Sequence, residues 1–390
     1  MEYSGARMTS HREDLRDIPL RGQIDLPFLM LVLLLLTIGV VMIFSASFAR
    51  AYYDPTDETG GNAAYYFIRQ LIFAGIGIGA MFVCAGLPVA FYRRMSRLLL
   101  IVSLALLVAV PIIGVRVGGA RRWISLGFTT FQPSEITKIA VILYFATLIC
   151  KFKDKMRTVR YGIVPFAAIL GVIAVLLVLE PHLSATIIIF AIGAAMMFLG
   201  GVEKKWFIGG AVAMAIFVFI FVNFFPYASS RISTWLDPLN PEERSGDAYQ
   251  IYQSLISVGS GGLSGLGLGQ SRQKYLYLPE EHNDFIFAVV CEELGFIGAM
   301  LILSLFALLV IRGYWLALHC RDRYSFLVCA GITTMIALQV FLNVAVCTNL
   351  IPCTGISLPF FSYGGTALLI QLAEMGIVLS ISRDIPARKE

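Results

Sequence analysis

The chain has 390 residues, of which 58% are hydrophobic and 14% charged, and its formal net charge is +5. Soluble domains carry roughly 45–50% apolar and about 25% charged residues. The composition therefore predicts an integral membrane protein and excludes a soluble domain of ordinary size beside the membrane part. The small positive charge fits membrane orientation better than nucleic-acid binding, so we expect no nucleic-acid partner.

Ten apolar runs follow a polar N-terminal segment, each near the roughly 20 residues that cross a bilayer as a helix. They cover residues 27–48, 66–86, 98–114, 134–150, 162–179, 184–200, 207–225, 286–311, 326–347 and 366–382. Backbone polar groups in hydrocarbon must be paired within the segment, so the runs predict an all-α fold with about ten transmembrane helices. At Glu180-Pro181-His182, a hairpin that re-enters the membrane is the alternative to two complete spans.

The distribution of Lys and Arg predicts the orientation of these spans. Most of the 30 basic residues lie in short segments that are inside if the N-terminus is cytoplasmic. Residues 1–26 and 383–390 are then cytoplasmic tails around a membrane domain at 27–382. The longest outer segment, 226–285, is a large extracytoplasmic loop between helices 7 and 8. We therefore expect the chemistry to face outward.

The seven cysteines are odd in number and lie mostly in apolar runs. Their spacing indicates neither a disulfide framework nor a zinc site. We expect buried, unpaired thiols.

Two charged residues open the fourth apolar run, where a charge is costly unless it is paired or faces a cavity. Glu135 and Lys138 stand three residues apart, on one face of a helix, where opposite charges can meet. They form either a structural ion pair between helices or the wall of a polar cavity.

Two arginines and a tryptophan, Arg121, Arg122 and Trp123, precede this run in a predicted outer segment. An interfacial tryptophan is common as a membrane anchor. Paired arginines outside run against the positive-inside trend, however, and guanidinium groups suit bidentate phosphate contacts. A lipid-linked phosphate is the natural candidate ligand.

The long outer loop contains three distinct patterns. Residues 246–254 predict an amphipathic surface helix, and the glycine-rich run 259–269 predicts close backbone packing or a hinge. The glycine run lacks the Gly-Lys-Ser/Thr ending of a nucleotide-binding loop. Glu280, Glu281, His282 and Asp284 then crowd the start of the eighth run, where the helix dipole alone would favour carboxylates. His282 and Asp284 could also bind a metal, although this spacing is a weak signal.

Two further features lie deeper in the predicted membrane. Glu292 and Glu293 are one to two turns into the eighth run, so at least one of them must face protein or water. Residues 355–365, which include Ser362, form an apolar loop broken by proline and glycine before the last run. Irregular backbone at that depth normally lines a cavity.

Four of these motifs, in this order, resemble the SEDS family (shape, elongation, division and sporulation proteins), and the resemblance covers nearly the whole chain. They are GARRWI at 119–124, QPSE at 132–135, LPEEHNDF at 278–285 and LPFFSYGG at 358–365. The stretch GLGLGQSRQKYLYL at 265–278 resembles the FtsW/SpoVE branch more than RodA. In the chain, Asn283 stands where Thr is usual, and His182 stands where many members carry Asp.

The resemblance implies a peptidoglycan glycosyltransferase in the bacterial inner membrane that polymerises lipid II at the outer leaflet. It implies a class B penicillin-binding protein and other division or sporulation proteins as partners. Asp284 takes the place of the family's essential aspartate, as a general base or as the ligand of a divalent cation such as magnesium or manganese. The implied substrate-binding residues are Arg121, Arg122, Trp123, Glu135, Lys138, His282 and Ser362.

Two other functions remain open from the sequence. A transporter that flips lipid II would also have many spans and buried charges, but it should show polar groups on the cytoplasmic half. A division scaffold that only recruits partners would not need Asp284. The role in division, sporulation or elongation cannot be read from the residues.

Overall fold

The computed structural model describes residues 22–53, 59–117, 120–127, 129–180, 182–224, 232–238 and 247–385. Within them, ten helical segments coincide with the ten predicted apolar runs. These are α1 (Leu26–Tyr53), α2 (Tyr65–Gly86), α3 (Val89–Ile113), α4 (Pro133–Phe152), α5 and α6 in succession (Val159–Gly162 and Val164–Leu179), α7 (Leu183–Leu199), α8 (Lys204–Phe224), α10 (Ile286–Leu318), α11 (Arg323–Cys347) and α12 (Gly365–Ser382). A further helix, α9 (Asp247–Ser260), and three short strands lie between them.

Seven of the described segments are long and apolar enough to cross a membrane, which confirms the predicted multi-pass helical fold. Their burial separates the centre of the bundle from its periphery. Helices α11 and α12 are buried over most of their length, whereas α2, α3 and α10 expose most of their apolar surface. Apolar side chains exposed all along a helix are those expected to face lipid.

The neighbours of the central helices bring distant parts of the chain together. Helix α12 packs most extensively against α2, while α11 packs against α10, α4 and α7. Helix α4 begins at Pro133, and proline is favoured in the first turn of a helix. The start of α4 therefore lies in the middle of the bundle, together with its two charges.

A small antiparallel sheet lies in the segment between α3 and α4, predicted to be outside, where strands were not expected. It consists of β1 (Val115–Val117), β2 (Ala120–Ser125) and β3 (Thr130–Phe131), in that order. These strands are too short for an alternating hydrophobic pattern to stand out. In the first pair, Val115 lies opposite Trp123 and Arg116 opposite Arg121, so Arg122 is an extra residue in a β-bulge. Bulges re-aim a side chain out of the regular alternation.

Helix α10 is interrupted at Gly295, whose φ of 66° is not helical. The break leaves backbone groups near Gly295 without partners in the helix. The glycine-rich run supplies those partners through four backbone hydrogen bonds of 2.9–3.1 Å. They join Leu266 N–H to Glu292 O, Gly267 N–H to Glu293 O, Phe296 N–H to Gly262 O and Ile297 N–H to Leu263 O.

The glycine-rich run approaches α10 so closely that side chains are excluded. A Cβ on Gly261 would overlap the carbonyl oxygen of Cys291, and one on Gly265 would overlap that of Glu293. The prediction of close backbone packing is therefore confirmed.

The two glutamates of α10 are buried and fully engaged. Glu293 accepts hydrogen bonds from Lys274 (3.0 Å) and Ser45 (2.6 Å), and Glu292 accepts one from Ser257 (3.0 Å). These bonds attach the outer loop to α10 and α1. From the sequence, Lys138 could instead have met Glu292 or Glu293 of the eighth run; it binds Glu135.

Helix α9 forms where an amphipathic helix was predicted, but the prediction that it lies on the surface is wrong. It packs against α10 and α11, and its polar face is turned inward. Ser254 donates to the carbonyl oxygen of Cys347 (2.8 Å) and Ser257 to that of Ala288 (3.0 Å). Backbone acceptors within the bundle thus take the place of water.

The irregular segment between α11 and α12 enters the bundle, as its prolines and glycines predicted. Phe360 and Phe361 are fully buried and lie against Phe306 of α10, with ring centroids 6.4 and 5.7 Å away. The Phe360 N–H donates to Gln371 Oε1 (3.1 Å), so this buried backbone donor has a hydrogen-bond partner.

All seven cysteines are free, as predicted. Four of them are buried, so they serve as small apolar side chains.

Candidate active site

Asp284 lies immediately before α10, at the mouth of the bundle. Asn343 of α11 holds the backbone there by donating to the carbonyl oxygens of Asp284 (2.8 Å) and Ile356 (2.7 Å). A Cβ on Gly355 would stand 3.1 Å from Asp284 Oδ2, so glycine leaves the space beside the carboxylate open. The half-buried carboxylate is therefore fixed by its backbone and accessible on one side.

The pKa of Asp284 is raised to about 6, first by burial and then by the charge of Glu280. Arg122 and His282 act in the opposite direction. A carboxylate with a pKa near the working pH is well suited to take a proton and release it again.

The structure brings Arg122 towards Asp284 but not Arg121. Arg122 is half-buried and within electrostatic range of Asp284, because the bulge in β2 re-aims it. Arg121 is exposed and donates to the carbonyl oxygen of Pro111 at the end of α3 (3.3 Å). Trp123, half-buried, pairs with Val115 across the sheet. Only one of the two predicted arginines thus faces the candidate base.

His282 is buried in an aromatic cluster. Its ring lies 4.7 Å from that of Tyr66 and 5.8 Å from that of Tyr363, and its carbonyl oxygen accepts from the Tyr363 N–H (2.9 Å). Its Nδ1 is 3.6 Å from Glu281, which in turn binds Arg50 (3.2 Å). These contacts fix the loop that carries Asp284.

Ser362 connects the same loop to the segment before α12. Its hydroxyl donates to the carbonyl oxygen of Asn283 and accepts from the Leu358 N–H, both at 2.7 Å. Its observed contacts are therefore those of a residue that positions Asp284, and its contact with substrate stays a prediction.

Glu135 and Lys138 form a buried salt bridge of 2.8 Å on one face of α4. Glu374 of α12 lies within electrostatic range of both. The pair is thus part of a group of three ionisable residues contributed by two central helices. Sequence reasoning missed Glu374, although a lone acid in the last apolar run is an intramembrane charge of the kind that signals a site.

His182, between α6 and α7, lies within electrostatic range of both Lys138 and Arg122. The pKa of His182 is lowered to about 3, by burial first and then by the positive charges of Arg122 and Lys138. The side-chain Nε2 of Gln132, just before α4, lies 3.2 Å from Nε2 of the His182 ring. Arg122 and Lys138 therefore both lie within electrostatic range of this neutral histidine.

These residues do not form a preformed metal site. Among the described residues, no group of three or more His, Cys, Asp or Glu side chains is placed to hold an ion. A magnesium or manganese ion beside Asp284 would depend on oxygens brought by the substrate.

Fold and site together define a multi-pass membrane protein with Asp284, Arg122 and the neutral His182 at the mouth of its central helices. Residues 26–386 match the family of cell cycle proteins that comprises FtsW, RodA and SpoVE. The chain belongs to this family.

Individual relatives agree with that membership. The chain is 41% identical to stage V sporulation protein E of Bacillus subtilis over 92% of its own length and 97% of the relative's. It is 40% identical to a protein of Trichlorobacter lovleyi named as a probable peptidoglycan glycosyltransferase FtsW, over 93% of each chain.

Solved structures show the same fold. One, described as a peptidoglycan synthase complex that coordinates polymerization and crosslinking, contains a chain with a TM-score of 0.78 and 28% identity, covering 93% of this chain and 98% of that one. The rod shape determining protein RodA of Thermus thermophilus gives a TM-score of 0.67 at 27% identity, covering 93% and 97%.

Proposed function

We propose that the chain is a peptidoglycan glycosyltransferase of the bacterial cell membrane that polymerises lipid II into glycan strands. The observation that carries the proposal is the half-buried Asp284, held beside Arg122 with a pKa of about 6. Family membership and the names of the relatives support the same reaction.

The reaction joins two lipid-linked sugars. The 4-hydroxyl of one sugar attacks the anomeric carbon of the other, and the bond from that carbon to the lipid pyrophosphate breaks. Asp284 accepts the hydroxyl proton, a task that contributes roughly 10²–10⁴-fold in rate. Arg122 stabilises the negative charge that grows on the departing pyrophosphate. Arg121 and Trp123 flank the site and are assigned to the headgroup and the membrane interface.

The buried ionisable residues of α4 and α12 are assigned to the inner wall of the substrate-binding cavity. Glu135, Lys138 and Glu374 keep polar character between the central helices, where apolar side chains would close the space. Lys138 also acts electrostatically on His182. Grooves between the peripheral helices are assigned to the lipid tails.

A transpeptidase of the class B penicillin-binding proteins is the proposed partner. The solved complex that resembles this chain couples polymerization to crosslinking, and a new strand must be crosslinked to become part of a wall. Other division or sporulation proteins are proposed as further partners.

The test is polymerisation of lipid II by the purified protein, with and without the transpeptidase. Wild type is expected to form glycan strands, and Asp284→Asn to lose at least about 10²-fold, since the amide cannot accept the proton. Activity of the wild type should rise with pH through about 6, because Asp284 must be ionised to act as a base.

Asn283→Thr is the control, since it changes the adjacent side chain and leaves the carboxylate in place. Strand synthesis by Asp284→Asn at the wild-type rate would contradict the assignment. Movement of labelled lipid II across vesicle membranes without strand formation would favour the transporter instead.

A further inference from the structure

Glu180, in the turn between α6 and α7, has no role in the mechanism above. Its side chain is buried, with 1% of the residue exposed. Neither carboxyl oxygen has a hydrogen-bond partner among the described residues. Buried polar groups are nearly always paired, so an acid left with two open oxygens points to a ligand that completes it.

The turn that carries Glu180 adjoins the Asp284 site. Gly355 stands between the two: a Cβ there would be 3.1 Å from Asp284 Oδ2 and 3.8 Å from Ser184 Oγ, at the start of α7. Arg122 acts electrostatically on both Asp284 and Glu180. One guanidinium group therefore lies within range of the candidate base and of this second acid.

The surroundings of Glu180 favour its neutral form. Burial raises its pKa to about 8, and the opposing effect of Arg122 is smaller. His182, on the same turn, is neutral because its pKa is lowered to about 3. Lys138 of α4 also acts electrostatically on His182.

A protonated carboxyl group offers what a phosphate needs. It has an O–H to donate and no charge to repel an anion. An ionised Glu180 could only accept hydrogen bonds and would repel the phosphate. A phosphate oxygen near Arg122 would supply the missing acceptor for Glu180 and neutralise the guanidinium.

Resting on the polymerase function proposed above, we propose that Glu180 is a further substrate-binding residue that donates a hydrogen bond to a phosphate oxygen of the lipid pyrophosphate, beside Arg122. No covalent step is assigned to it. The turn between α6 and α7 is then part of the pyrophosphate site, together with the bulge in β2.

The experiment compares Glu180→Gln and Glu180→Ala with wild type in polymerisation of purified lipid II. The KM for lipid II is measured between about pH 5 and about pH 10, a range that includes the pKa values of both Asp284 and Glu180. Glu180→Ala should raise the KM by about tenfold or more, the loss expected for one hydrogen bond to a charged group. Glu180→Gln, which keeps a neutral donor, should stay near the wild-type KM.

The pH profile separates this role from a structural one. In the wild type the KM should rise above pH 8, as Glu180 loses its proton; in Glu180→Gln that rise should be absent. Glu203→Gln, beyond the far end of α7 and paired with Lys205, is the control and should behave as wild type. If Glu180→Ala fails to fold, the profile of Glu180→Gln decides.

An unchanged KM in Glu180→Ala, or an alkaline rise that persists in Glu180→Gln, would overturn the proposal. The proposed function is tested separately in the same assay. If wild type polymerises and Asp284→Asn does not, the polymerase assignment holds whatever the Glu180 variants do. If wild type makes no strands, the polymerase assignment itself fails.

Discussion

At the scale of single residues, two carboxyl groups near one arginine have different environments, and their proposed roles follow from that difference. Asp284 is half-buried and has a pKa of about 6, so it is largely ionised at neutral pH. Glu180 is fully buried, has a pKa of about 8 and keeps its proton. Titratable groups whose pKa values are pushed apart are the usual basis for dividing acid and base roles within a site.

Some of these residues could be identified from the sequence and others could not. The spacing of Glu135 and Lys138 predicted their ion pair, because three residues along a helix bring side chains to one face. The separation of Arg121 from Arg122 could not be predicted. It depends on a bulge whose position is set by pairing with β1.

We expect the ion pair on α4 to tolerate exchange of its charges better than loss of one. Reversing either charge alone leaves two like charges buried next to each other, whereas Glu135→Lys with Lys138→Glu restores the pair. Stranding one member of a buried pair costs about 3–5 kcal/mol. The double variant should therefore recover more thermal stability and polymerase activity than either single reversal.

The measurement is the unfolding temperature in detergent together with strand synthesis. If all the proteins insert and the double variant is as inactive as the single reversals, the pair does not act on itself alone. Glu374 or the substrate would then be the more important partner of Lys138.

At the scale of elements, the break in α10 shows how a long helix and a loop depend on each other. The sequence predicted close packing of the glycine run, since only glycine allows such an approach. It did not predict the partner, because Gly295 lies inside a continuous apolar run that reads as unbroken helix. The four hydrogen bonds that compensate the break come from residues about 30 positions away in sequence.

Gly265 and Gly269 provide a matched test of this packing. Both have a positive φ, of 80° and 81°, so alanine at either carries the cost of the left-handed conformation, about 1–2 kcal/mol. A Cβ on Gly265 would overlap backbone of α10, whereas one on Gly269 would meet nothing within 4 Å. Gly265→Ala should therefore lower the unfolding temperature clearly more than Gly269→Ala. Equal shifts would mean that the close approach contributes nothing to stability.

At the scale of the whole molecule, composition and hydrophobic runs were sufficient to predict the helical membrane fold. Each run is long enough to be identified without knowing its neighbours, and lipid favours helices over irregular structure because helices pair their own backbone groups. The sheet formed by β1, β2 and β3 and the inward position of α9 could not be predicted in this way. Both depend on contacts between segments whose own patterns are short or ambiguous.

The orientation of the molecule is the remaining whole-molecule prediction, and the direction in which Asp284 faces depends on it. The bias of Lys and Arg places the loop that carries Asp284 outside and the segment after α4 in the cytoplasm. Gln270 and Lys155 are exposed residues of these two regions. In a background without native cysteines, Gln270→Cys should react with an impermeant maleimide in intact spheroplasts. Lys155→Cys should react only after the membrane is permeabilised, and the reverse pattern would place Asp284 on the cytoplasmic side, where a polymerase at the outer leaflet could not use it.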